Sequence, residues 1–346
     1  MDTIAVMRNY KELVDKELKL FFDKKIEETK NIDPSSVEAL ELLKDYTLRG
    51  GKRIRAAMLY YGYACFKEPN NELIKTSMAM ELVQSYLLIH DDIIDNDDLR
   101  RGKDTVHVSY KKLYTEKNIG KSLAILLGDI ACCLANEILA ESNFNDELKN
   151  KAINEMNKVI RKVNYGQILD VLGEIKDFNE GDVLFLYKLK SATYTIEGPL
   201  HIGATLAGAN EEDLRQLSRY AIPLGLAFQI RDDINGTFGD EKKTGKSSDS
   251  DIKQGKRTLM MLKAMNEDEE TRNYIVSKLE KKKSISKEDI SIIKKILIEK
   301  GSLDYCKELA DKYVHEAIGF IKNTDFTEEG KDFLINIADY IANRDH

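Results

Sequence analysis

The chain has 346 residues, 42% of them hydrophobic and 33% charged, and a formal net charge of −7, which suits a protein with a large buried core and offers no basic field for a nucleic acid. Four prolines and no Gly/Ser- or Pro-rich stretch leave no visible linker, so a single domain over residues 1–346 is expected. The N-terminus lacks a basic segment followed by an apolar run, and no uncharged stretch of membrane-spanning length occurs, so a cytosolic protein without a signal peptide or membrane span is expected.

Apolar positions recur at three- and four-residue intervals almost throughout, and alternation with β-branched residues is absent, which predicts an all-α fold. The first charged landmark, RGGKRIR at 49–55, sets a Gly-Gly turn before Lys52 and Arg55, whose spacing of three puts both on one helical face, as an anion site would need. Met78 to Ile94 is apolar nearly all round and predicts a buried helix, yet it runs into HDDIIDNDDLRRG at 90–102. Asp91 and Asp95 stack one turn apart there and can share a hard cation through oxygen; Mg²⁺ fits best, since it leaves positions for water and phosphate. Arg100 and Arg101 follow, able to fork onto diphosphate oxygens or to neutralise the acidic cluster itself. Cys132 and Cys133 lie in an apolar helical segment without C-x-x-C spacing and read as packing.

Lys190 and Ser191 fall within YKLKSATYTIEGPL at 187–200. A second all-round apolar helix, Tyr220 to Ile234, again ends in carboxylates, FQIRDDINGTFGDEKKTGK at 228–246. Gln229 stands one turn before Asp232 and on its face. Gly236 occupies the place of a carboxylate partner four residues on, so this site is expected to hold metal less tightly, with Asp233 and Asp240 as candidates to compensate. Lys242, Lys243, Lys246 and Lys256 follow, each taken singly a solvated residue. The Lys281-Lys282-Lys283 run reads as a solvated face, and Ser286 to Lys300 as a surface helix capped by Ser286 and stopped by Gly301. Charge at the end of a buried helix is costly unless a metal, a cationic partner or water stands beside it, and here the pattern occurs twice.

In this order, GGKRIRA, DDIIDNDDLRRG, KSA and FQIRDDINGTFGDEKKTGK resemble the trans-prenyl diphosphate synthase (polyprenyl synthetase) family over essentially the whole chain, in its short-chain farnesyl/geranylgeranyl branch. The resemblance implies one isoprenoid synthase domain of mostly antiparallel helices around a central cavity, a homodimer, and three Mg²⁺ ions per site. It implies head-to-tail condensation of an allylic diphosphate with isopentenyl diphosphate, a prenyltransferase step of isoprenoid biosynthesis. Carried onto this chain, it makes Asp91, Asp95 and Asp232 magnesium ligands, with Asp92 and Asp233 in the same motifs. Lys52, Arg55, Gln84 and Arg101 match residues that hold isopentenyl diphosphate; Arg100, Lys190, Ser191, Gln229, Lys246 and Lys256 match residues that hold or activate the allylic diphosphate. Gln84 stands where many relatives have His, Ser191 where Thr is commoner, and Gly236 where the motif usually ends in Asp, as in short-chain synthases of archaeal type.

Lys190, Gln229, Asp91 and Asp232 are then the catalytic candidates, with carbonyls near Lys190, in a helix expected to be irregular, steadying an allylic cation together with Gln229. Tyr86 matches the family's chain-length gate, and helical geometry puts Leu87 one turn before Asp91 near the growing chain, so short C15–C20 products are expected. His90, His107 and His201 are assigned no role. A terpene cyclase would share the aspartates but need no isopentenyl site, against which Lys52, Arg55 and Arg101 argue. A non-catalytic partner subunit would not need the complete set of chemical residues.

Overall fold

The computed structural model describes residues 3–114, 116, 118–173, 176–239, 249–281 and 284–342. Asp240, Lys242, Lys243 and Lys246, with Lys282 and Lys283 of the lysine run, lie outside the described residues. Helix accounts for nearly all of the described chain, as the three- and four-residue spacing requires. The one β element among these residues is a hairpin of two residues a side, β1 (Leu99–Arg100) and β2 (Lys103–Asp104), directly after the first aspartate motif.

Contacts gather the chain into two compact units. The first comprises residues 1–157, 199–210 and 327–330. It holds α1 (Thr3–Thr29), α2 (Pro34–Leu48), α3 (Ile54–Ala64), α4 (Asn71–Ile94), the hairpin, α5 (Val106–Leu113), α6 (Ile119–Glu141) and the start of α7 (Asp146–Gly173). The second comprises 158–198, 211–326 and 331–346. After the remainder of α7 it holds α8 (Glu180–Tyr187) and a π-helix (Lys188–Glu197). The chain then makes α9 (Gly198–Leu206), most of it in the first unit, before α10 (Glu211–Phe238) returns to the second. There follow α11 (Ser250–Gln254), α12 (Leu259–Met265), α13 (Glu269–Leu279), α14 (Lys287–Glu299), α15 (Ser302–Ile321) and α16 (Glu328–Ala342).

Local chemistry sets the helix ends. Asp33 accepts from the Ser35 amide, with Pro34 pre-set at the first helical position of α2. Ser286 accepts from the Asp289 amide at 3.0 Å, so the surface helix begins where the sequence predicts. In the first unit α4 is central: Leu73, Met80, Leu82 and Ile89 are fully buried, and its principal neighbour is α6. In the second, α10 is central, packed on the π-helix and α15, with the Tyr220 hydroxyl donating to the Leu334 carbonyl at 2.7 Å. Both helices read as apolar all round are thus the cores of their units. Helix α6 is long and apolar enough to cross a membrane by length and composition, but it carries Lys121, Asp129 and Glu137 and packs against α4.

One close approach in the first unit is decisive. A Cβ at Gly203 of α9 would lie 1.9 Å from the Leu59 carbonyl oxygen of α3, and neither backbone has room to yield. Gly203→Ala should therefore destabilise the fold by about 3 kcal/mol or more, read as a fall in the urea midpoint. A midpoint unchanged within error would mean that the two helices separate freely.

Candidate active site

Helix α4 presents distinct stripes. With about 100° per residue, Gln84, Leu87 and Asp91 share one face, while Glu81, Ser85 and Asp92 share another about 100° round. Asp91 and Asp95 are half-buried, and the Asp95 amide donates to the Asp91 carbonyl at 2.8 Å, so the last turn stays regular and the two carboxylates keep their one-turn spacing. Asp92 is fully buried instead. The Tyr46 hydroxyl donates to it at 2.7 Å and the Arg100 Nε at 2.8 Å, while Arg100 Nη2 bonds it again and lies 3.6 Å from Asp91 and 3.7 Å from Asp97. Burial pushes the Asp92 carboxyl up from the ordinary carboxylate range, against the pull of Arg100 and Tyr46. Arg100 thus neutralises the acidic cluster, one of the two roles the sequence leaves open to it, and the two do not exclude each other.

The RGGKRIR segment differs from the helical expectation. Gly50 and Gly51 have φ of 105° and 113°, and Arg53 has φ 54°, so Lys52 precedes α3 and does not share a helical face with Arg55. The cause is Arg53, which is buried and bonded to Asp15, Glu81 and the Thr47 carbonyl. Burial by itself pulls the pKa of its guanidinium down; Glu81 and Asp15 outweigh that and hold it above the usual arginine value. Arg101 joins this turn, its Nη1 donating to the Gly50 carbonyl at 2.5 Å and its guanidinium lying over Gly51. Arg49 reaches the Asp104 carbonyl at 2.5 Å. Hairpin and turn are thus tied together, which holds Arg101 against the turn that leads into Lys52.

Tyr86 lies well round from the Leu87–Asp91 face. Its ring meets the His90 ring edge-on with centroids 4.9 Å apart, and His90 Nε2 is 3.1 Å from the Ile125 carbonyl of α6. Gly128 leaves space for that imidazole, since a Cβ there would fall 2.4 Å from Nε2.

The second unit repeats the first motif's arrangement. Asp232 is half-buried and Asp233 buried. Tyr187 donates to Asp233 just as Tyr46 donates to Asp92, and each tyrosine stands 46 residues before its aspartate. Gln229 Nε2 donates to Asp233 at 2.7 Å, and its Oε1 accepts from Ser191. Burial first, then Asp251, push the Asp233 carboxyl well up. The π-helix at Lys188–Glu197 is the irregularity expected around Lys190. Glycines on both sides, Gly166 of α7 and Gly225 of α10, let neighbouring backbone come close to it. Lys190 Nζ reaches Asp170 of α7 at 2.6 Å. Lys256 follows α11, its amide bonded to the Asp251 carbonyl at 3.0 Å. At Gly236 a Cβ would lie 2.3 Å from Asp251 Oδ2, so a carboxylate from α11 stands beside the position where the motif lacks its last Asp.

The sequence reading missed Tyr46, Tyr187, Asp170 and Asp251. The two tyrosines carry a signal in retrospect, their equal separation from the second aspartate of each motif; Asp170 and Asp251 carry none in their own segments.

Residues 37–297, running through both aspartate helices, match the polyprenyl synthetase family. The chain belongs to that family. Among other polyprenyl synthetases it is 37% identical to the geranylgeranyl diphosphate synthase of Sulfolobus acidocaldarius over 272 residues, 78% of this chain and 79% of that one. It is 34% identical to the short chain isoprenyl diphosphate synthase of Methanocaldococcus jannaschii over 342 residues, 97% of this chain and 95% of that one. Its fold matches the crystal structure of the Corynebacterium glutamicum geranylgeranyl pyrophosphate synthase complexed with isoprenyl diphosphate and magnesium, with a TM-score of 0.89 and 28% identity over 97% of this chain and 98% of that one. Like its relatives, this polyprenyl synthetase has the all-α isoprenoid synthase fold and is a prenyltransferase.

Proposed function

We propose that the chain joins an allylic diphosphate head to tail with isopentenyl diphosphate, giving a C15–C20 trans-prenyl diphosphate and free diphosphate. The observation that carries this reading is the pair of core helices, α4 and α10, each delivering a half-buried aspartate beside a buried one that a tyrosine clasps. A solvated acidic helix end needs no such support. Because the family match runs through both units, residues 1–346 act as one catalytic domain.

Asp91, Asp95 and Asp232 are the proposed magnesium ligands. Their donors are all carboxylate oxygen. That suits a hard cation that keeps water and substrate oxygens. Mg²⁺ held by these carboxylates, three ions in the reading taken from the resemblance, would supply positive charge to offset that of the departing diphosphate.

The side chains do the rest. Arg100, Lys190, Ser191, Gln229 and Lys256, with Lys246, hold the allylic diphosphate, and Lys52, Arg55, Gln84 and Arg101 hold the isopentenyl diphosphate. Breaking the allylic C–O bond sends its electron pair to the diphosphate and leaves a carbocation. The carbonyls of the π-helix and the Gln229 amide steady that cation by their dipoles. The isopentenyl double bond attacks the cation, and the proton then lost goes to the released diphosphate. Gln229→Leu removes the links to both Ser191 and Asp233, so turnover should fall about 10- to 100-fold. An unchanged kcat would reject the role.

A homodimer and a cytosolic setting complete the reading. Ile125, Leu126 and Ile130 of α6 are exposed, the last two lining an apolar groove of about 610 Å³, and a second copy of the chain would cover them. The direct assay supplies Mg²⁺, labelled isopentenyl diphosphate and each allylic primer in turn, and sizes the products. Label in chains longer than the primer is the expected result; no incorporation with any primer, or an unlabelled cyclised hydrocarbon, would overturn it.

A further inference from the structure

Arg53 occupies a position that the anion chemistry of its turn does not explain. Its φ of 54° lies in the left-handed region that side chains avoid, although two glycines precede it. It is only 3% exposed, and its guanidinium is shared among three helices. Nε donates to Asp15 of α1 at 2.7 Å, Nη1 to Glu81 of α4 at 2.8 Å, and Nη2 to the Thr47 carbonyl of α2 at 3.0 Å. Glu81 is 2% exposed, so this is a buried ion pair. A left-handed arginine persists only where its surroundings over-determine it, and such strain gathers at functional positions.

What the strain does follows from the two stripes of α4. The stripe of Glu81, Ser85 and Asp92 is taken up by one short segment of chain: Arg53 on Glu81, Thr47 on Ser85 at 2.8 Å, and Tyr46 on Asp92 at 2.7 Å. The neighbouring stripe carries Gln84 and Asp91. The backbone bearing Lys52 and Arg55 is therefore keyed, residue against residue, to the helix bearing Gln84 and the first aspartates. Arg53 is the last tooth of that key and sits between the two cations.

We propose that Arg53 is a positioning residue for isopentenyl diphosphate: through its buried pair with Glu81 it locks the left-handed turn that separates Lys52 from Arg55 and sets both beside Gln84. The inference rests on the reading of Lys52, Arg55 and Gln84 as isopentenyl diphosphate residues. Without the lock the turn samples other backbone conformations, and binding must order it again, so affinity for that one substrate falls. Once both substrates are bound the turn is ordered, and the rate at saturation is unaffected.

The test is steady-state kinetics of the full chain with Mg²⁺, isopentenyl diphosphate and an allylic diphosphate varied separately, alongside thermal unfolding. Arg53→Lys keeps the charge but loses the fork, and Glu81→Gln keeps the shape but loses the charge. Each should raise KM for isopentenyl diphosphate about tenfold, with kcat and KM for the allylic diphosphate within about twofold of the parent. The double variant R53G/E81M removes both charges at once, leaves neither buried alone, and gives the left-handed position to a residue that adopts it freely, so it is expected to fold and to show the same split. Folded variants whose KM for isopentenyl diphosphate stays within twofold overturn the proposal, whatever their melting temperatures, because a structural ion pair alone would show that. Lys52→Ala and Arg55→Ala separate the two levels. A raised KM in these with an unchanged KM in the Arg53 and Glu81 variants removes only the positioning role; an unchanged KM in all of them removes the underlying reading as well.

Discussion

Asp91→Asn should cost about 10²- to 10³-fold in turnover and leave the unfolding midpoint where it was, while the same change one residue later, Asp92→Asn, should strike the fold itself. Asp91 is half-buried and belongs to the stripe with Gln84 and Leu87, so its amide variant keeps its packing and loses the charge offered to a metal ion, while Arg100, 3.6 Å away, stays paired with Asp92. Asp92 is fully buried and carries two bonds from Arg100 and one from Tyr46. Neutralising it leaves the mostly buried Arg100 guanidinium without its principal counter-charge, which by analogy with broken buried ion pairs costs about 3–5 kcal/mol. Urea unfolding and product formation, measured side by side on both variants, separate the two outcomes. Equal effects of the two substitutions on stability and turnover would mean that the stripes of α4 are not functionally distinct.

Tyr86→Ala should lengthen the product by at least one isoprene unit. The phenol is half-buried on the side of α4 that faces α6, where its ring rests edge-on against His90, itself 3.1 Å from the Ile125 carbonyl. Removing it takes away a large aromatic surface at the position that the resemblance marks as the chain-length gate, so the added room should go to the growing chain and not to the diphosphates. Products sized after complete consumption of isopentenyl diphosphate give the answer. Profiles identical to the parent's would place the gate elsewhere on α4, with Leu87, one turn before Asp91, the next residue to substitute.

Local patterning alone carried much of this. Apolar spacing specified two core helices, the one-turn interval of Asp91 and Asp95 followed from their positions in one of them, and Ser286 and Gly301 marked the ends of a surface helix, because caps and helical periodicity act over a few residues. The order of the charged segments was enough to state the family. What the chain order could not convey is which member of each adjacent aspartate pair is turned inward. That depends on Tyr46 and Tyr187, each 46 residues upstream, and on the hairpin that returns Arg100 to Asp92. Nor could local spacing show that Lys52 leaves the helix of Arg55, since the left-handed turn between them is held by carboxylates from α1 and α4. The carboxylate beside Gly236 likewise comes from α11, beyond the end of its own helix. Spacing along a helix sets which side chains share a face; which face is buried, and against what charge, is settled only when distant segments pack and the cost of leaving a buried charge unpaired selects its partner.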